Sequence, residues 1–262
     1  MLDGAAIAAH GDHPAAMRVA IEIVEETGST NADLLARADA ATLARPTLRI
    51  AMHQTAGRGR AGRSWLSAPG STLMFSLAWP FAGPLPRLAG LPLAVGVALA
   101  ETLAAFDVPV TLKWPNDLIK DGSKLAGILV ETRIAADQSI WAVIGAGINL
   151  LMPDQLEQAI GRDVASAPWL AQMDRNRLMA ALLDRLAAVL ADFDGAGFAA
   201  FSARWNRLHA HQGQTVTIED GGQVLHEGRA AGVDDLGRLL LDTAQGRIAI
   251  LSGDVSLRAK GG

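Results

Sequence analysis

The sequence predicts an α+β protein: a mixed or largely antiparallel sheet with helices, followed by a small all-β unit. Three observations carry this. Strand-like and helix-like segments mix over residues 18–211 without the regular alternation of a parallel α/β sheet. One segment, IWAVIGAGINL at 140–150, is almost wholly apolar, as a central, buried strand should be. From Gly213 the pattern changes to short alternating runs (QTVTIED, QVLHEGRA, RLLLD, RIAILSG) divided by Asp-Gly-Gly, Val-Asp-Asp-Leu-Gly and Gln-Gly, which are hairpin signals at short, regular spacing. A boundary near His211 gives a flexible leader at 1–17, a first domain at 18–211 and a small β-barrel at 212–262.

Taken in order, residues 1–17 read as a loose, alanine-rich leader. RVAIEIVE at 18–25 alternates apolar and polar residues, as a half-buried strand does. Gly28-Ser29-Thr30-Asn31 breaks that pattern; 32–41 looks helical, with Ser29 or Thr30 placed to cap it. A second strand at 48–54 runs into the loop GRGRAGRSW at 57–65. TLMFSLAW at 72–79 is a strand, and 86–106 is a long apolar helix with Pro92 early in it. Strands follow at 110–114, 118–120, 125–133 and 140–150, then helices at 176–193 and 198–209.

Composition bounds the function classes. A length of 262 residues suits one large domain, or one domain plus a small one. Half the residues are hydrophobic and 19% are charged, which supports a sizeable core and argues against wholesale disorder. The absence of cysteine excludes disulfides and thiolate metal sites and fits a cytoplasmic protein. The first ~20 residues lack the basic start and apolar stretch of a secretory signal. Charges and prolines break the apolar runs before ~18 residues, so no membrane span is expected. A net charge of -4 argues against a general nucleic-acid binder; the basic charge that matters must be local.

It concentrates in GRGRAGRSW. Arg58, Arg60 and Arg63 alternate with Gly57, Gly59 and Gly62 directly after a strand. Glycines let backbone N–H groups approach a ligand, and arginines supply forked donors for phosphate or carboxylate. The spacing is not that of a GxxxxGK[ST] phosphate loop, since no lysine follows the last glycine. A solvated basic loop or an RGG-like patch on RNA is the alternative, weakened by the position between two apolar strands. Lys113-Trp114-Pro115-Asn116-Asp117-Leu118 is a turn by itself. Lys124, at the mouth of the strand KLAGILVE, either reaches a phosphate or snorkels to solvent. Gly145-Ala146-Gly147-Ile148-Asn149 permits close backbone approach; Asn149 either addresses the edge of a base or sugar or ends the strand in a turn.

In this order, Gly28-Ser29-Thr30-Asn31, Gln54-x-x-Gly57-Arg58-Gly59-Arg60-x-Gly62-Arg63-x-Trp65, Lys113 to Leu118, Lys124 to Glu131 and Gly145-x-Gly147-Ile148-Asn149 resemble the biotin protein ligases (biotin–acetyl-CoA-carboxylase ligases). Ser252-Gly253-Asp254-Val255-Ser256-Leu257-Arg258 resembles the end of that family's small C-terminal domain. The likeness runs from about Glu22 to about Arg258. Some members carry an N-terminal helix-turn-helix and repress transcription. Only ~20 residues precede the first strand, too few for that module, so the expectation is a single-function ligase with no DNA partner.

The resemblance implies a catalytic domain related to class II aminoacyl-tRNA synthetases with an SH3-like barrel behind it. It implies ATP-dependent, Mg²⁺-assisted ligation of biotin to one lysine of a biotin carboxyl carrier protein, through biotinyl-5′-adenylate. Biotin contacts fall on Ser29, Thr30, Asn31, Gln54, Gly57, Arg58, Gly59, Arg60 and Lys124. Lys124 is the main charge stabiliser, Arg60 retains the adenylate, and Asp117 completes the catalytic set. ATP contacts fall on Arg60, Arg63, Trp65, Asn116, Asp117, Lys124 and Asn149, with Asp117 holding Mg²⁺ through ATP. Trp65 either stacks on adenine or is a core residue. His53, pointing away from Gln54 on an alternating strand, is structural. The loop 57–65 should be mobile without ligand and order over the adenylate. Lipoate or octanoate ligation is the alternative chemistry and an RNA-binding module the alternative class. Monomer and homodimer both stay open, and no membrane partner is expected.

Overall fold

A computed structural model describes residues 2–135, 138–251 and 256–259. Its helices are α1 (Gly4–His10), α2 (Thr30–Asp39), α3 (Leu91–Ala105), α4 (Asp154–Ile160), α5 (Pro168–Gln172), α6 (Arg175–Ala196) and α7 (Ala199–Arg207). The larger sheet holds β1 (Ala20–Thr27), β2 (Thr47–Gln54), β3 (Thr72–Phe81), β4 (Thr111–Lys113), β5 (Asp117–Lys120), β6 (Ser123–Ile134) and β7 (Ile140–Asn149), in the order β1-β2-β3-β7-β6-β5-β4. Only β1 and β2 pair in parallel, joined through α2; every other pair is antiparallel. The sheet is therefore mixed, as expected, and the apolar 140–150 segment is its central strand.

The two faces carry different layers. Ile144 and Ile148 of β7, with Leu73, Phe75 and Leu77 of β3, join α3 and α6 in the main core. Leu34, Leu35 and Ala38 of α2 pack on Ala78, Trp141 and Val143 on the other side. Ser29 is the cap of α2, accepting from Ala32 N at 3.5 Å. The expected helix at 86–106 is split. Gly90 lies at φ +80, where a Cβ would stand 2.6 Å from Phe198, and it separates a 3-10 turn (Leu85–Leu88) from α3. By length and composition alone that stretch, Leu85–Ala105, could cross a membrane, although Arg87, Pro92 and Glu101 interrupt its apolar run; 61% of its apolar window is buried in the fold, as suits a core helix.

The leader is not loose. Asp3 caps α1 by accepting from Ala6 N at 2.7 Å, and Ile7 is fully buried. Asp12 N donates to Asp184 of α6 at 2.8 Å, and Asp3 N to Asn176 at 2.8 Å. The segment between 150 and 175, unassigned from sequence, supplies α4 and α5 and bridges Val164 to Lys124.

The second sheet is antiparallel: β8 (Thr215–Asp220), β9 (Gln223–Val233), β10 (Leu239–Thr243), β11 (Gly246–Ile250) and β12 (Ser256–Ala259), in the order β11-β10-β9-β8-β12. Gly221 and Gly222, at φ 53 and 87, make the tight turn that Asp-Gly-Gly signals. Ser252 to Val255, part of the C-terminal resemblance, lie outside the described residues.

The two sheets meet at the KWPND segment. Leu112 N donates to Leu208 O at 2.7 Å, Ala210 N to Leu112 O at 2.8 Å, and the buried Trp114 indole to Gly237 O at 3.2 Å. His209 and His211 sit at this junction, each with one buried ring nitrogen lacking a partner. Burial pushes the His211 pKa down to about 4, with Lys113 and His209 acting in the same direction. Burial lowers His209 as well. The unfolded chain takes up protons at these rings near 6.5, whereas folded His211 resists until about 4. Their contribution is thus complete above pH 6.5 and is lost as pH falls toward 4. Allowing for partial exposure, the expected loss at His211 is about 1–2 kcal/mol. The melting temperature should fall across that interval, and less steeply in His211→Gln. Identical slopes would assign the acid sensitivity elsewhere.

Candidate active site

A cavity opens on the α2 side of the larger sheet, and its floor is bare backbone. On β7 the residues facing this side begin with Trp141 and Val143 and give way to Gly145 and Gly147. A Cβ on Gly147 would stand 2.5 Å from the Trp65 ring, and one on Gly127 of β6 would stand 2.9 Å from Lys124 Nζ. A Cβ on Gly145 would run into Asn31 Oδ1. Glycine is required here for close approach.

One end of the cavity is uncharged and built from the start of α2. Gln54 Oε1 accepts from Thr30 N at 2.7 Å, with Thr30 Oγ1 3.1 Å away. Thr30 Oγ1 lies 2.7 Å from Ser76 Oγ, which donates to Asn31 Oδ1 at 2.6 Å. Asn31 Nδ2 donates to Glu131 at 3.0 Å. Asn31 lines the cavity, but protein groups already engage its amide; it braces the wall.

The roof is the arginine loop, which folds as a small hairpin. Gly59 N donates to Arg63 O at 2.7 Å and Trp65 N to Gly57 O at 2.8 Å. A Cβ on Gly57 would stand 2.5 Å from Trp65 O, so this glycine lets the two arms close. The loop's own backbone bonds, and not only a ligand, set its shape. Arg58 pairs with Glu131 at 3.0 Å, and Arg60 donates to Asn116 Oδ1 at 3.2 Å. Trp65 lies over the glycine floor, 5.4 Å from Lys124 Nζ, with its indole nitrogen buried and unpartnered.

The other end is cationic. Lys124 Nζ lies 2.6 Å from Asp117 Oδ1, with the two side chains 18% and 21% exposed. Asn116 is held by its Nδ2 donating to Ile128 O at 2.7 Å. Lys113, Arg162 and Arg258 of β12 line the same space. Burial lowers the Lys113 pKa; Arg258, Lys124 and Arg162 lower it too, against Asp117. Among the described lining residues, Arg58, Arg60, Arg63, Lys113, Lys124, Arg162 and Arg258 face one carboxylate, Asp117. An acidic protein thus gathers an excess of positive charge around this one chamber.

Most residues picked from sequence converge here: Ser29, Thr30, Asn31, Gln54, Arg58, Gly59, Arg60, Arg63, Trp65, Asn116, Asp117 and Lys124. Two do not line it. Gly57 is buried in the hairpin neck, and Asn149, 4% exposed, turns its amide to Ala165 O at 3.2 Å. His53 pairs with Glu26 at 3.0 Å, outside the cavity. Sequence reasoning assigned no role to Ser76, Lys113, Arg162, Arg258 or Glu131. Ser76 had a signal, a lone hydroxyl inside the apolar TLMFSLAW; Arg258 closes the C-terminal segment that carries the resemblance, and Arg162 arrives by long-range folding with no signal. Among the described residues no cluster of three or more His, Cys, Asp or Glu could hold a resident metal; Asp117, beside Lys124, is the one lining carboxylate that Mg²⁺ carried by a nucleotide would meet.

Residues 24–149 match the model of the biotin/lipoate A/B protein ligase family, and residues 211–258 match the biotin protein ligase C terminal domain. The chain is 36% identical over 218 residues to the bifunctional ligase/repressor BirA of Escherichia coli, covering 80% of this chain and spanning 66% of that protein's length. It is 36% identical over 243 residues to the biotin–acetyl-CoA-carboxylase ligase of Mycobacterium tuberculosis, covering 90% of this chain and 88% of that protein. Among solved structures, the biotin protein ligase from Aquifex aeolicus in complex with biotin and ATP superposes with a TM-score of 0.73 at 28% identity, covering 92% of this chain and 99% of that one. With both sheets, the glycine-floored cavity and these likenesses in place, the chain belongs to the biotin protein ligase family.

Proposed function

We propose that the protein joins biotin to one lysine of the biotin carboxyl carrier domain of a carboxylase, using ATP and passing through biotinyl-5′-adenylate. One observation carries this reading: a single cavity joins an uncharged, hydrogen-bonding end to a cationic end across a floor of glycine backbone. An uncharged ureido ring needs several hydrogen bonds once buried, and Ser29, Thr30 and Gln54 supply them. The carboxylate then lies toward Lys124 and the hairpin. A carboxylate oxygen attacks the α-phosphorus of ATP and pyrophosphate leaves. The carrier lysine nitrogen next attacks the acyl carbon, loses its proton, and AMP departs. Both steps gather negative charge on oxygen, so positioning and fixed cations are the catalytic means. Lys124 stabilises the α-phosphate charge, Arg60 and Arg63 hold phosphate oxygens, and Trp65 offers its face to adenine. ATP brings Mg²⁺, which neutralises phosphate charge, and Asp117 with Asn116 would hold it.

The domain division at 18–211 and 212–262, the kinship of the larger sheet to class II aminoacyl-tRNA synthetases, the SH3-like character of the smaller one and a cytoplasmic location belong to the same proposal. Relatives named as biotin ligases favour biotin over lipoate or octanoate. The hairpin's pairing with Glu131 and Asn116 favours a ligase over an RNA-binding module. The test is single turnover with biotin and ATP labelled in the α-phosphate. Labelled adenylate should form and discharge to AMP when a carrier domain is added. Adenylate from lipoate alone would reassign the substrate, and none from either acid would overturn the ligase reading.

A further inference from the structure

The geometry points to Glu131 as a positioning residue, a latch that ties the arginine hairpin to the buried wall of the acid-binding end; its effect on adenylate retention rests on the proposed ligase reading. Glu131 does not line the main cavity, so it touches no substrate there. It lines a neighbouring cleft of about 400 Å³ that runs beneath the hairpin. The hairpin spans this cleft. At one side Arg58 Nη2 donates to Glu131 Oε1 at 3.0 Å, and at the other Arg60 Nη1 donates to Asn116 at 3.2 Å.

The second oxygen of Glu131 is the reason for the assignment. Oε2 accepts from Asn31 Nδ2 at 3.0 Å, and Asn31 is only 3% exposed. From there the bonds continue through the hydroxyls of Ser76 and Thr30, and the Thr30 backbone N–H carries them on to Gln54. One uninterrupted hydrogen-bonded chain thus runs from an exposed hairpin arginine to the buried polar end. Arg58 is 48% exposed and Glu131 20%, so the outer link can part while the inner link persists. A group bound against Thr30 and Gln54 fixes the inner links, orients the carboxylate, and favours the closed hairpin. By reciprocity, the closed hairpin favours the bound group. A surface ion pair with no inner partner would do neither.

The test uses the full chain and Glu131→Gln, which keeps size and drops the charge. Trypsin should cut the ligand-free variant at the hairpin arginines several times faster than wild type, with the other sites unchanged. This readout does not depend on ligase activity. In single turnover the variant should form adenylate at near the wild-type rate but release it roughly tenfold faster, a split that simple destabilisation would not produce. Arg58→Ala should match the faster hairpin cleavage, read at Arg60 and Arg63, and the double variant should add little to it, as expected of two halves of one contact. Wild-type hairpin cleavage in Glu131→Gln, or additive effects in the double variant, would overturn the latch. Faster hairpin cleavage with no adenylate from wild type would instead leave the latch standing and sink the ligase reading.

Discussion

Lys124→Ala is expected to slow adenylate formation by about 10²–10³-fold, the usual cost of removing a fixed charge aimed at a developing oxyanion. The lysine is placed for that task. It leaves the start of β6 beside Gly127, where a side chain would crowd its ammonium, and its Nζ is held 2.6 Å from Asp117 over the edge of the glycine floor. The substitution also leaves Asp117, the one carboxylate among the described lining residues, without its nearest cation. Carboxylate and substrate phosphate would then repel in a half-buried space. Lys124→Arg should not restore the rate: a planar fork is longer and delivers its charge differently from a compact ammonium. Folding should suffer little, by about 1 kcal/mol, since the pair is partly solvated and Lys113 stays close enough to act on Asp117. Single-turnover formation of labelled adenylate, with a melting curve on the same sample, checks both. A wild-type rate in Lys124→Ala would shift the charge-stabilising role to Arg60 or Lys113.

How much of this was legible depends on the range over which each feature is determined. Ser29 capping α2 and the glycines of the β8–β9 turn are local decisions, visible in three or four residues. The central position of β7 followed from its being apolar on both faces. The leader was misjudged because α1 buries chiefly Ile7 and is tied down by Asn176 and Asp184, some 170 residues away. The helix at 86–106 was drawn unbroken because nothing in the sequence announces Phe198 against Gly90. The same division runs through the site. Motif residues carried by one segment converge as expected. The cations that complete the chamber, Lys113, Arg162 and Arg258, meet only because β4, the segment after α4, and β12 are brought together across the junction of the two sheets. Asn149 turns away from the cavity because its partner, Ala165 O, belongs to a segment to which the sequence assigned no element.

Gly145→Ala is the sharpest test of the floor, with an expected loss of about 2–3 kcal/mol in stability and at least a tenfold loss in biotin affinity. The new methyl would collide with Asn31 Oδ1 and stand 3.0 Å from Asn31 Cγ. Neither side can yield cheaply. Gly145 lies in the middle of the sheet, opposite Ser76 on β3 and Leu129 on β6, so its backbone is paired on both edges. Asn31 sits in the first turn of α2, 3% exposed, and its amide holds both Ser76 and Glu131. Moving it leaves buried polar groups unpaired and drags Thr30 away from Gln54, so stability and the uncharged end of the cavity fail together. Gly28→Ala is the control: it adds the same methyl one residue before Ser29, where nothing lies within 4 Å, and should change stability by less than about 0.5 kcal/mol. Denaturant titration and biotin-binding calorimetry on the pair decide the matter. Equal behaviour of the two variants would mean that Asn31 moves freely, and the cavity's polar end would then owe its shape to the ligand and not to the sheet.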